Sequence, residues 1–117
     1  MKAVISMDES NIVTLNVNNF AQITASEGKL VIVDYWAPWC MPCRMIAPIL
    51  SRLAGEYAEQ IIVGKMNIDE QQEFAAARGI TSIPTLHIYK DGSLKDEVIG
   101  LRQYGDYKAL VDKYIQA

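Results

Sequence analysis

Histidine is nearly absent from this 117-residue chain, which carries one, and cysteine is limited to two. Those counts leave a metal centre short of its usual four ligands, because two thiols and a distant histidine reach that number only if two copies share the site. A basic block is also missing. With 11 Lys and Arg against 14 Asp and Glu the net charge is -3, and no run of one sign marks a nucleic-acid or anionic-membrane surface, so neither partner is expected. No stretch approaches the roughly 20 apolar residues of a membrane span. Internal repeats and low-complexity tracts are absent as well.

What the chain has is apolar content: half of it is hydrophobic, at a length that suits one packed core. Residues 1–10 show no clear period and hold a single Lys, the acids Asp8 and Glu9 and no apolar core, so they read as an N-terminal arm rather than a secretory leader. Residues 11–117 form the expected single domain, taken as a monomer. A chain that begins here is expected in the reducing cytoplasm, where a close cysteine pair works by cycling rather than by stapling a fold.

Both cysteines and both tryptophans fall in Trp36-Ala37-Pro38-Trp39-Cys40-Met41-Pro42-Cys43-Arg44. Two cysteines at this spacing can be a redox dithiol, half of a metal site or incidental. The flanks decide. Upstream, Leu30-Val31-Ile32-Val33-Asp34-Tyr35-Trp36 is a near-continuous apolar run of strand length, the pattern of a strand covered on both faces. Downstream, Ile46, Leu50, Leu53, Ala54 and Tyr57 repeat on one helical face, with Ser51, Arg52, Glu56 and Glu59 on the polar side. The pair therefore sits where a strand hands over to a helix. Unpaired N–H groups and the aligned peptide dipoles at a helix start favour an anion, which makes Cys40 the nucleophile. Cys43, about one turn further in, is placed to close a small-ring disulfide and to act as the resolving thiol.

In chain order, Ile12-Val13-Thr14-Leu15 reads as a first strand, and Asn18 or Asn19 as the cap of a short helix through about Ser26. Pro48 should kink the long helix. Ile61-Ile62-Val63-Gly64-Lys65-Met66 is the next strand, and Asp69-Glu70-Gln71-Gln72 resembles a capping box opening a helix that closes at Arg78-Gly79. Asp91-Gly92 suits the turn of a hairpin whose second strand is guarded by Lys95, Asp96 and Glu97. Tyr107, Leu110, Val111, Tyr114 and Ile115 mark a final amphipathic helix, with Gln103 a mediocre N-cap. The order β-α-β-α-β-α-β-β-α predicts an α/β domain, a central mixed sheet flanked by helices.

The ensemble of Val33-Asp34-Tyr35-Trp36-Ala37-Pro38-Trp39-Cys40, Cys43-Arg44-Met45-Ile46-Ala47-Pro48, Lys65-Met66-Asn67-Ile68-Asp69, Ile83-Pro84-Thr85 and Gly100 resembles the thioredoxin family over about 12–115. That resemblance implies a thioredoxin fold: a central mixed five-stranded sheet flanked by four helices. It also implies a thiol-disulfide oxidoreductase, a protein-disulfide reductase and electron carrier, that cycles Cys40-Cys43 between dithiol and disulfide without a further cofactor. The partners it implies are disulfide-containing proteins and a thioredoxin reductase.

By the same resemblance Asp34, a lone acid in an apolar strand, lies behind the cysteines and exchanges a proton with Cys43, while Lys65 lies near enough to tune it. Burial would raise its pKa and Lys65 would lower it; the plainer alternative is a structural ion pair. Ile83-Pro84 is implied to be a cis peptide facing the dithiol, against the alternative of an ordinary trans proline opening a strand. Trp39, Met41, Pro42, Ile83, Pro84 and Gly100 then resemble the family's docking surface, with Trp36 packed below the turn. The departure is Met41, where thioredoxins usually have Gly; its uncharged thioether adds contact surface and an oxidation site and does not stabilise the Cys40 thiolate as a cation would. A reductant with altered partner choice is the expectation. The alternatives are a specialised oxidase or isomerase, a dimeric metal-binding module using the CxxC, and a non-catalytic interaction domain. His87 alternates with Thr85 and Tyr89 and reads as a packed or surface residue outside the site.

Overall fold

In the computed structural model, residues 11–116 are described; the expected arm at 1–10 lies outside them. The elements run β1 (Ile12–Thr14), α1 (Phe20–Thr24), β2 (Leu30–Trp36), α2 (Met41–Glu56), β3 (Ile61–Asn67), α3 (Gln72–Ala77), β4 (Thr85–Lys90), β5 (Ser93–Ile99) and α4 (Tyr104–Ile115). The order is the expected one.

The five strands form one mixed sheet in the order β1-β3-β2-β4-β5, with β1 and β2 parallel to β3, and β4 antiparallel to both β2 and β5. β2 is central, which explains its apolar run: its residues are buried on both faces. Leu30 and Ile32 pack with Ile46, Leu50 and Leu53 of α2 and Tyr107 and Val111 of α4. Val31, Val33 and Tyr35 point the other way, into a second core with Phe20 of α1 and Ala75 of α3. Alternation therefore puts Asp34 on the α2/α4 face, in line with Leu30 and Ile32.

The Asp91-Gly92 turn closes the β4–β5 hairpin with φ of 52° and 81°, the pair of positive values that a two-residue turn of this twist needs. β5 is an edge strand, and a bulge after Ile88 and Asp96 leaves Lys95 out of the pairing, which blunts that edge.

Three local expectations are corrected. Asn19 occupies the cap position of α1, but its Oδ1 accepts the Asn16 N–H at 2.8 Å and no helix N–H, because the side chain closes the preceding loop instead. That helix ends at Thr24, short of Ser26, where Thr24 Oγ1 donates to the Phe20 carbonyl at 2.9 Å and Ser26 Oγ to the Ile23 carbonyl at 2.7 Å, drawing the last turn to a stop. The capping box at Asp69 does not form: α3 opens after Gln71 with no side-chain cap, since the Asp69 carboxylate is engaged elsewhere, as described below. Gln103 occupies the cap position of α4 with no side-chain cap bond of its own; Asp106 Oδ2 accepts its backbone N–H at 3.1 Å and secures the start of the helix.

Candidate active site

β2 ends beside β3 on one side and β4 on the other, so the turn after it lies at the carboxyl end of the central strand, where neighbouring strands diverge in direction. Cys40 is the N-cap of α2, with extended backbone, and Pro42 sits in the first turn, where a missing N–H removes nothing from the helix. The Cys40 and Cys43 sulfurs are joined in a disulfide with Cα atoms 5.3 Å apart. Cys43 N–H donates to Cys40 Sγ at 3.2 Å. The same donor and the helix dipole face a thiolate when the bond is reduced, which stabilises the charged form at Cys40 in preference to a position deeper in the helix.

Both sulfurs lie low in the surface, Cys40 6% and Cys43 3% exposed. They pack with Ala37, and Trp36, Ile68 and Ile83 close in around them. Trp36 is thus beneath the turn, as expected. The Ile83-Pro84 peptide is cis. Pro84 is buried, and its carbonyl accepts the Gly100 N–H at 2.9 Å, which ties the start of β4 to the end of β5. Gly100 itself holds φ +90°, a conformation closed to most side chains.

Asp34 is fully buried, and no hydrogen bond from a described residue reaches either carboxylate oxygen. It faces Lys65 across the β2–β3 register, Lys65 Nζ being 3.8 Å from Asp34 Oδ2. Burial raises its pKa from 3.8 to about 6, and the Lys65 ammonium holds it from going higher. The acid therefore changes protonation near neutral pH. Lys65 also stands 5.4 Å from the centre of the Trp36 ring, which links the acid's partner to the floor of the dithiol.

Trp39 and Met41 project from the turn, 67% and 60% exposed, and Pro42 is exposed beside them. Trp39 is nonetheless held: its indole N–H donates to Asp69, 3.0 Å to Oδ2 and 3.3 Å to Oδ1. His87 lies on the opposite sheet face from Asp34, buried edge-on against Tyr35 with Nε2 2.8 Å from Glu97 Oε2, and takes no part in the site.

The Thioredoxin family model matches residues 11–113. The chain belongs to the thioredoxin family. Thioredoxin 1 of Synechococcus elongatus is 46% identical over 96 residues, covering 82% of this chain and 90% of that one. The chloroplastic M-type thioredoxin of Pisum sativum is 45% identical over 101 residues, 86% of this chain and 59% of the relative, so the chain spans less than two thirds of that protein's length. Among solved structures, a single-site mutant of a thioredoxin from Halobacterium salinarum superposes with a TM-score of 0.82 at 30% identity, over 91% of each chain. The thioredoxin fold, with its mixed five-stranded sheet and four helices, is the observed architecture.

Within this thioredoxin site, Cys40, Cys43, Ile83 and Trp36 are brought into one cluster, Asp34 pairs with Lys65, and Pro84 with Gly100. Two further residues border the site. Asp69, a cap candidate by its local sequence, instead holds the Trp39 indole, a contact that only the fold brings about. Met45 lies one turn after Met41 on α2 and is 54% exposed; the helical spacing carried that signal.

Proposed function

We propose that this thioredoxin-family protein is a thiol-disulfide oxidoreductase that reduces protein disulfides through a reversible Cys40-Cys43 dithiol/disulfide cycle. The observation that carries the reading is the Cys40-Cys43 disulfide at the start of α2, with a backbone N–H on the Cys40 sulfur. The Cys40 thiolate attacks one sulfur of a substrate disulfide, forming a mixed disulfide and releasing the first substrate thiolate. Cys43 gives its proton to the Asp34 carboxylate, directly or through water, and its thiolate attacks Cys40 Sγ. The second substrate thiolate leaves, and the Cys40-Cys43 disulfide remains. Two electrons pass to the substrate, and a separate thioredoxin reductase returns the dithiol.

Asp34 is the proton acceptor, Lys65 tunes it, and Pro84 fixes the Ile83 backbone beside the dithiol, where an extended substrate segment pairs as an added strand. Trp39, Met41, Pro42, Ile83 and Gly100 supply the docking surface around Cys40. Met41, uncharged, favours a reductant over a strong oxidase. The protein acts as a monomer in a reducing cytoplasm: sedimentation or light scattering tests the first part, and imaging of the native protein in its cell tests the second.

Equilibrium titration of Cys40-Cys43 against a dithiothreitol or glutathione buffer, read by tryptophan fluorescence and thiol alkylation, tests the cycle. A reversible two-electron transition in the reducing range, with dithiothreitol-driven insulin reduction lost in Cys40→Ser, supports it. A strongly oxidising transition turns the reading to an oxidase or isomerase, and no transition overturns it in favour of metal binding or scaffolding.

A further inference from the structure

Sulfur is concentrated at one end of α2. Of the three methionines among the described residues, Met66 is wholly buried in the second core, whereas Met41 and Met45 are 60% and 54% exposed. The two exposed thioethers are four residues apart on one helix, hence on the same face, and Met41 directly follows Cys40. In the disulfide form neither cysteine is a thiolate, so among the described residues the nucleophilic sulfurs left open to solvent beside the site are those of Met41 and Met45.

We propose that Met41 and Met45 form a paired oxidation site that regulates docking at the dithiol, the oxidant being a hydroperoxide. Each thioether sulfur attacks the terminal oxygen of the hydroperoxide: an S–O bond forms, the O–O bond breaks, and the hydroxyl proton moves to the departing oxygen. The methionine is oxidised by two electrons to its sulfoxide, and the hydroperoxide is reduced to an alcohol, or to water when it is hydrogen peroxide. Oxidation thus occurs while Cys40-Cys43 is itself oxidised and protected.

The consequence rests on the disulfide-reductase reading. A sulfoxide is polar and must shed water when a protein partner covers it, so two of them beside Trp39 and Pro42 weaken docking without touching the sulfur chemistry at Cys40. Small disulfides that reach Cys40 without covering the helix face are spared. A methionine sulfoxide reductase reverses the change.

The test treats the full chain, in its disulfide form, with hydrogen peroxide, removes the oxidant with catalase and maps peptide masses. It then measures dithiothreitol-driven reduction of insulin and, with the protein pre-reduced and freed of dithiothreitol, its stoichiometric reduction of a small aromatic disulfide. Expected are oxygen on Met41 and Met45 before Met66, a rise of about three- to tenfold in KM for insulin, and an unchanged rate with the small disulfide. The Met41→Leu/Met45→Leu double variant, compared with itself before and after peroxide, should show no such rise, and methionine sulfoxide reductase should return the unsubstituted protein to its starting KM. Oxidation of Met66 as fast as the exposed pair, an unchanged insulin KM once both sulfoxides have formed, or an equal loss in the double variant overturns the proposal. Failure of the untreated protein to reduce insulin overturns the reductase reading instead, and the docking consequence with it, before any peroxide is added.

Discussion

Asp34 and Lys65 face each other across the β2–β3 register, with 3.8 Å between Lys65 Nζ and Asp34 Oδ2, and only the lysine reaches solvent. The pair is unequal. Full burial outweighs the ammonium, and the acid's pKa ends at about 6 rather than below its ordinary 3.8.

A raised pKa means that the folded state binds the proton more tightly than the unfolded chain, so the stabilising contribution of Asp34 is complete below about pH 4 and is lost as pH rises through about 6. The gap corresponds to about 3 kcal/mol. Asp34→Asn, which mimics the neutral acid, should be more stable than the unsubstituted protein by up to that amount at pH 8, with the advantage vanishing below pH 4. Denaturant titrations across that range check it. If Asp34 takes the Cys43 proton as proposed, the same variant should also reduce protein disulfides more slowly.

Lys65 opposes the burial effect, so removing its charge should push the Asp34 pKa up. In Lys65→Met the rise of activity with pH should move to higher pH, with a drop of about two- to fivefold in the resolving rate at pH 6. Single-turnover release from a Cys40 mixed disulfide measures it, and a profile superimposable on that of the unsubstituted protein would remove Lys65 from the tuning role.

Asp69 holds the Trp39 indole through its carboxylate, and Asn67 Oδ1 in turn accepts the Asp69 N–H at 2.9 Å. In Asp69→Ala the ring loses its anchor and must be ordered by the partner, so KM for a protein disulfide should rise about two- to fivefold while global stability changes by less than about 1 kcal/mol. Steady-state kinetics together with chemical denaturation separate the two effects.

Gly64, on β3, has no room for a side chain: a Cβ there would lie 2.5 Å from Leu15 Cδ1 and 2.7 Å from Cγ. Leu15 is buried in the second core and cannot swing away freely. Gly64→Ala should therefore destabilise the protein by about 1–3 kcal/mol, read as a lower denaturation midpoint, while the potential of Cys40-Cys43 stays unchanged.

The chain's local chemistry was enough to place the nine elements in order, because strand and helix periods differ and because Asp91-Gly92 leaves little but a tight turn between β4 and β5. It was also enough to put Cys40 at a helix start and Asp34 in an apolar strand, since both facts follow from neighbours in sequence. Tertiary structure alone decided what those residues meet. Asn19 and Thr24 followed competing bonds only three and four residues off, choices made within the local chain, whereas Asp69 had a local capping role open to it and instead holds an indole 30 residues away. The protonation of Asp34 is of the same kind. An acid in an apolar run signals burial, but whether burial or Lys65 prevails depends on the 3.8 Å gap and the depth of the carboxylate, which only the folded sheet sets.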